Sequence, residues 1–147
     1  MRHPNLVAFL GGATISLAPS WLITQLAARF PSIAPEELTT VTDFFSNGIG
    51  PLQLVVLSLI VIFIPILEEY IFRGFLWQLI SKFFTPNVTL VIISIVFALI
   101  HGELLHILGL LPISFFLGWL RLKTGEVGPS ILAHMTNNLV ACILMLL

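Results

Sequence analysis

From Gly50 to Leu67 the chain runs eighteen residues without a charge, and then Glu68, Glu69 and Arg73 arrive within six. An apolar stretch of that length is enough to cross a bilayer as a helix, so the three charges fall at membrane depth. A charged side chain at the bilayer centre costs roughly 2.5–3.5 kcal/mol on insertion scales. Such residues persist where they pair with one another or where they do chemistry. The spacing here provides for both.

The whole chain shares the character of that stretch. Of its 147 residues 58% are hydrophobic and 9% charged, against about 25% charged in a soluble domain, and mean hydropathy is +1.09. The expected fold class is therefore all-α, a polytopic membrane helical bundle of about five transmembrane helices of about 20 residues each. A net charge of −1 offers no basic face to nucleic acid, which is excluded as a partner. The single cysteine, Cys142, excludes an internal disulfide and a Cys-rich metal site.

In chain order, a first helix is expected over about Leu6 to Ala28, too long and uncharged for the apolar core of a signal peptide. A connector follows to Gly50, where Pro35-Glu36-Glu37 reads as a first helical turn and Leu38, Val41 and Phe45 share a face. The second helix runs from Leu52 to Phe83, with a kink expected at Pro65. Asn87 is expected to cap a third helix over Val88 to His101, ended by Gly102. A fourth covers Ile107 to Leu122, interrupted at Pro112 and closed by Lys123-Thr124-Gly125, and Gly128-Pro129-Ser130 opens a fifth. We expect a single membrane domain over 1–147, with 1–50 as N-terminal helix and connector and 51–147 as the core. Arg2, Lys82, Arg121 and Lys123 fall on one side and Arg29 on the other, which puts the N-terminus in the cytoplasm.

Helical phase divides the charges. Glu69 and Arg73 are i,i+4 with the acid first, the favourable order for an ion pair. Glu68 and Arg73 are five apart, about 140° round the helix, so Glu68 is aimed elsewhere and is the candidate general base or acid. Phe97 and His101 share a face by the same i,i+4 rule, and so do His134 and Asn138. A carboxylate and two histidines on three separate helices suit one inward-facing cavity, and His134 with Asn138 would offer two donors to an oxyanion. Glu68, His101 and His134 also make three ligands for a zinc ion with an open fourth position. His101-Gly102-Glu103-Leu104-Leu105-His106 is no zincin motif, because its histidines are five apart; Glu103 and His106 read as interfacial polar residues. Asn137 points about 100° from Asn138 and is expected to bond a neighbouring helix.

Glu-Glu-x-x-x-Arg at 68–73, Phe-x-x-x-His at 97–101 and His-x-x-x-Asn at 134–138, in that order, resemble the CPBP (Abi) family of CAAX proteases and bacteriocin-processing enzymes. Phe115-Phe116-Leu117-Gly118 before Lys123-Thr124-Gly125 is similar to the same family, and the resemblance spans Ile64 to Leu139. It implies an intramembrane endopeptidase of the type II CAAX prenyl endopeptidase kind. Glu68 and His101 would activate water, His134 and Asn138 would stabilise the oxyanion, and Glu69, Arg73 and Phe97 would support the site. It implies either a zinc-dependent or a metal-free glutamate mechanism, and the residues satisfy both. The implied partners are a membrane protein or peptide substrate and the lipid bilayer, and the implied location is the plasma membrane. Members usually carry more helices before the first motif, so a minimal member, a fragment and a homo-oligomer are all compatible with this length. Rival readings are a non-enzymatic bacteriocin-immunity or scaffold protein and a proton-coupled transporter, the latter disfavoured by the lack of a repeat.

Overall fold

The structure is a computed structural model that describes residues 3–15, 17–30, 40, 43–45, 48–102 and 104–146. Six helices account for it: α1 (Pro4–Ile15), α2 (Leu17–Arg29), α3 (Pro51–Ile80), α4 (Pro86–Leu99), α5 (Leu104–Thr124) and α6 (Gly128–Leu146). The described residues contain no strand, and the all-α expectation holds. Helix α3, of 30 residues, and α5, of 21, are each long and apolar enough to cross a bilayer. The helix expected over Leu6 to Ala28 is described as α1 and α2. The turn at Pro35-Glu36-Glu37, with Leu38 and Val41, lies outside the described residues, as does Glu103.

The bundle is apolar on its outside. Phe63 is 62% exposed and Phe75 66% on α3, among many large aliphatic side chains elsewhere. In water so extended an apolar surface would drive aggregation, whereas in lipid it is the ordinary outer face. Polar residues go inward: Thr89, Ser94, Ser114, Ser130, Thr136 and Asn137 are all buried. That inversion fits helices held together by close approach and polar contacts, because lipid removes the hydrophobic drive between them.

Two crossings frame the site. α1 packs against α6, where a methyl group added to Gly12 would run into the Ala133 carbonyl. α4 packs against α5, where a Cβ on Gly118 would stand 3.1 Å from the Leu90 side chain and 3.2 Å from the Ser94 hydroxyl. Ser94 and Ser114 then exchange hydrogen bonds, each hydroxyl donating to the other's carbonyl at 3.1 Å. α3 lies across this pair, its middle turns against α6.

Three local expectations are corrected. Thr85, with extended backbone, precedes the first turn of α4 and Pro86 opens it, which suits a residue without an N–H and displaces Asn87 as the cap. α5 starts at Leu104 and passes through Pro112 unbroken; that proline is exposed, and spanning helices tolerate the loss of one hydrogen bond. Pro65 does not produce a simple kink. The helix around it widens into π turns over Leu59–Phe63 and again over Tyr70–Leu76. Gly102 and Gly125 end α4 and α5 at positive φ, as the sequence suggested.

Candidate active site

The proline ring clashes with the carbonyl four residues before it and supplies no N–H. Widening the preceding turn relieves the clash, and the Ile64 amide accordingly donates to the Leu59 carbonyl, five residues back. This irregular stretch of α3 presents Glu68, Glu69 and Arg73. π turns recur at functional sites for the same reason: they re-aim side chains without breaking the helix.

Glu69 and Arg73 form the sealed half of the site. Both are fully buried, and Arg73 Nη1 donates to Glu69 Oε1 at 2.9 Å. Arg73 Nη2 donates to both the carbonyl and the hydroxyl of Ser114, each at 2.9 Å. Its guanidinium carbon stands 4.6 Å from the centre of the Phe97 ring, a cation–π distance. Arg121 Nε donates to the Arg73 carbonyl at 2.9 Å, tying α5 to the second π stretch. The charge at membrane depth is thus neutralised, which its burial requires, although Glu69 Oε2 and Arg73 Nε have no hydrogen-bond partner among the described residues.

Glu68 belongs to the open half, with its side chain 23% exposed. The two glutamates clasp one imidazole between them. His134 Nδ1 lies 3.0 Å from Glu69 Oε1, so Nδ1–H donates to the carboxylate that Arg73 already holds. His134 Nε2 faces Glu68 Oε2 at 3.6 Å, a charge contact too long for a direct hydrogen bond. A carboxylate behind a histidine fixes its tautomer and ring direction, here leaving Nε2 to do work.

The remaining predicted residues gather round Phe97. Its ring centre lies 5.1 Å from that of Phe72, 5.1 Å from His101 and 5.7 Å from His134. His101 Nδ1–H donates to the Phe97 carbonyl at 2.8 Å, which leaves its Nε2 with a free lone pair. Among the described residues no hydrogen bond or ion pair joins His101 to Glu68. Asn138 Nδ2 donates to the Ile60 carbonyl at 3.0 Å, and Asn137 Nδ2 donates to Asn138 Oδ1 at 3.3 Å. Among the described residues Asn137 therefore bonds its own neighbour, where a bond to another helix was expected. Asn138 is already committed at one donor.

A hydrolytic zinc site needs three protein ligands in one shell. Among the described residues no three His, Cys, Asp or Glu side chains come together in that way. Each histidine has its Nδ1 held, His134 by Glu69 and His101 by the Phe97 carbonyl, which leaves both Nε2 atoms open, yet with Glu68 they do not gather into one such shell. The donors do not fit an ion as a set, so no step below runs through a metal.

Three residues of the site were missed in the sequence, Ser94, Ser114 and Arg121, and His106, expected as an interfacial polar residue, sets its ring edgewise on His101 at 5.4 Å. A signal existed for the serines, since polar residues beside Gly118 in an apolar helix mark a close helix crossing.

Residues 50–140 match the family described as type II CAAX prenyl endopeptidase Rce1-like. The chain belongs to the Rce1-like family. Every residue of the cluster lies inside the matched stretch. A curated relative, “Putative membrane peptidase YdiL” of Bacillus subtilis (strain 168), is 32% identical over 153 residues, covering 90% of this chain. The chain spans 59% of the length of that relative. No solved structure matches it. Membership of the Rce1-like family and the apolar helices together make this an integral membrane protein of a CAAX-type intramembrane protease family.

Proposed function

We propose that the chain is an intramembrane endopeptidase that hydrolyses a peptide bond near the cytoplasmic face of the plasma membrane, with water activated by Glu68 and His101. The observation that carries this reading is the contrast between two adjacent acids. Glu69 is sealed and neutralised by Arg73, while Glu68 is partly open and stands against His134. A water between Glu68 and His101 Nε2 loses its proton to Glu68 as its oxygen attacks the peptide carbonyl carbon. The carbonyl oxygen becomes an oxyanion that accepts from His134 Nε2–H and from the second N–H of Asn138. In that role His134 donates from both ring nitrogens, from Nδ1 to Glu69 and from Nε2 to the oxyanion. Glu68 then returns its proton to the amine nitrogen as the C–N bond breaks. The products are a carboxylic acid, which keeps the second proton of the water, and an amine.

The family description names CAAX prenyl peptides, so the first probe is a quenched fluorescent farnesylated CAAX peptide offered to purified protein in proteoliposomes. Glu68→Gln and His101→Ala are each expected to lower kcat by at least about 10²-fold. Full cleavage by either variant sinks the reading. A chelator is expected to leave the wild-type rate unchanged; a loss restored by added zinc would replace the metal-free route. If the wild type does not cleave and Glu68→Gln keeps the cellular phenotype, the immunity or scaffold reading takes over.

A further inference from the structure

In the π register before Pro65 each carbonyl accepts from the amide five residues on, as Leu59 does from Ile64. The next carbonyl in that register is Ile60, and its donor would be the nitrogen of Pro65, which has no hydrogen. A carbonyl left unpaired at membrane depth costs several kcal/mol. Asn138 Nδ2 sits 3.0 Å from that oxygen. Asn137 holds the other end of the same amide by donating to Asn138 Oδ1, so the amide cannot turn over.

We propose that Asn138 is a positioning residue, beyond its oxyanion role: its amide replaces the hydrogen bond that Pro65 removes, and thereby locks α6 to the π turn of α3. His134 is one helical turn from Asn138 on α6. Glu68 and Glu69 are eight and nine residues beyond Ile60 on α3. The two carboxylates that clasp His134 and the carbonyl that takes Asn138 therefore lie on the same two helices. A single pin sets the 3.0 Å and 3.6 Å contacts. The proline that breaks the helix is also what makes the anchor point, since a regular helix would use the Ile60 carbonyl internally.

The test is a cycle of Asn138→Ala, Pro65→Ala and the double variant, purified in detergent. Pro65→Ala restores an amide hydrogen able to serve Ile60. Asn138→Ala is expected to lower the unfolding midpoint by several degrees and to shift the ring nitrogen resonances of His134. Adding Pro65→Ala should recover most of both changes. Equal losses in the two backgrounds would overturn the pin. Should Asn138→Ala alone give no folded protein, folding of the double variant is the same rescue, and its failure counts against the pin once Asn138→Ser repeats the cycle with the same result. This inference rests on the protease reading only for its kinetic arm. There Asn138→Ala lowers kcat with KM little changed, and the double variant regains about tenfold of the loss. Regained stability without regained rate would show that the pin does not set the site. If the wild type fails to cleave the farnesylated peptide, the protease reading fails, and the unfolding and His134 measurements still decide the pin.

Discussion

Glu68 and Glu69 are neighbours in the chain and opposites in the structure. Glu69 is fully buried and bonded to Arg73 and to His134, and Arg73 is in turn held by Ser114 and Phe97. Glu68 touches the same histidine from the other nitrogen, has no cation of its own among the described residues and keeps part of its side chain open. One helix step, and which helices pack over each acid, separates a sealed charge from an open one. The comparison also says what each should do when removed: the sealed acid should fail in folding, and the open acid in rate.

The largest effect is expected on the sealed side. Arg73→Ala leaves Glu69 buried without its cation and the Ser114 hydroxyl without a donor, with the Ser114 carbonyl keeping only the Ser94 hydroxyl from across the crossing. Breaking a buried pair from one side costs about 3–5 kcal/mol, so unfolding in detergent should come many degrees earlier. An unchanged midpoint would mean that water reaches Glu69, and the division between the halves would fall. Glu68→Gln is the converse. Its midpoint should move by less than about 1 kcal/mol of stability, while kcat drops by at least about 10²-fold. A variant that unfolds early would show that Glu68 also holds the bundle.

The sealed pair was legible in the sequence because its spacing is local: Glu69 and Arg73 face each other by helix geometry alone. So were the helices bearing the three motifs and the two glycine stops. What the sequence did not carry is everything set by crossing. His134 finds Glu69 across 65 positions, and Arg73 finds Ser114 across 41. Neither has a periodicity to betray it. Pro65 was visible as a breaker, but the π turns it induces were not, because the rule for proline says that a hydrogen bond is lost and not where the helix makes it up. Asking which donor serves the freed carbonyl would have pointed to a polar side chain on a facing helix.

A smaller effect tests how Arg73 is held. Ser114→Ala removes the hydroxyl acceptor and leaves the carbonyl, so the Arg73 guanidinium keeps one of its two bonds to α5. A hydrogen bond to a charged group contributes about 1.5–3 kcal/mol; with the carbonyl still in place the expected loss is near the lower end. The same change frees the Ser94 carbonyl at the α4–α5 crossing. Double-variant analysis with Arg73→Lys should show strong coupling, since both substitutions act on one contact. Independent, additive losses would mean that Ser114 serves only the crossing.

The smallest effect falls on the wall between the halves. Phe97 meets Arg73 with its face on the sealed side, and its ring is in contact distance of His101 and His134 on the open side. Phe97→Leu keeps the residue apolar and gives up the cation–π contact and the edge-to-face pair with Phe72. Each of these contributes about 0.5–1.5 kcal/mol, and refilling by leucine offsets part, so a loss of about 1 kcal/mol in stability is expected. The rate should fall too, by about tenfold or less, because both imidazoles lose the surface that orients them. The two readouts separate what the ring does for each half. A fall in rate with no change in midpoint places Phe97 wholly with the open half. A fall in midpoint with full rate places it with Arg73, and the histidines are then oriented by their hydrogen bonds to the Phe97 carbonyl and to Glu69 alone.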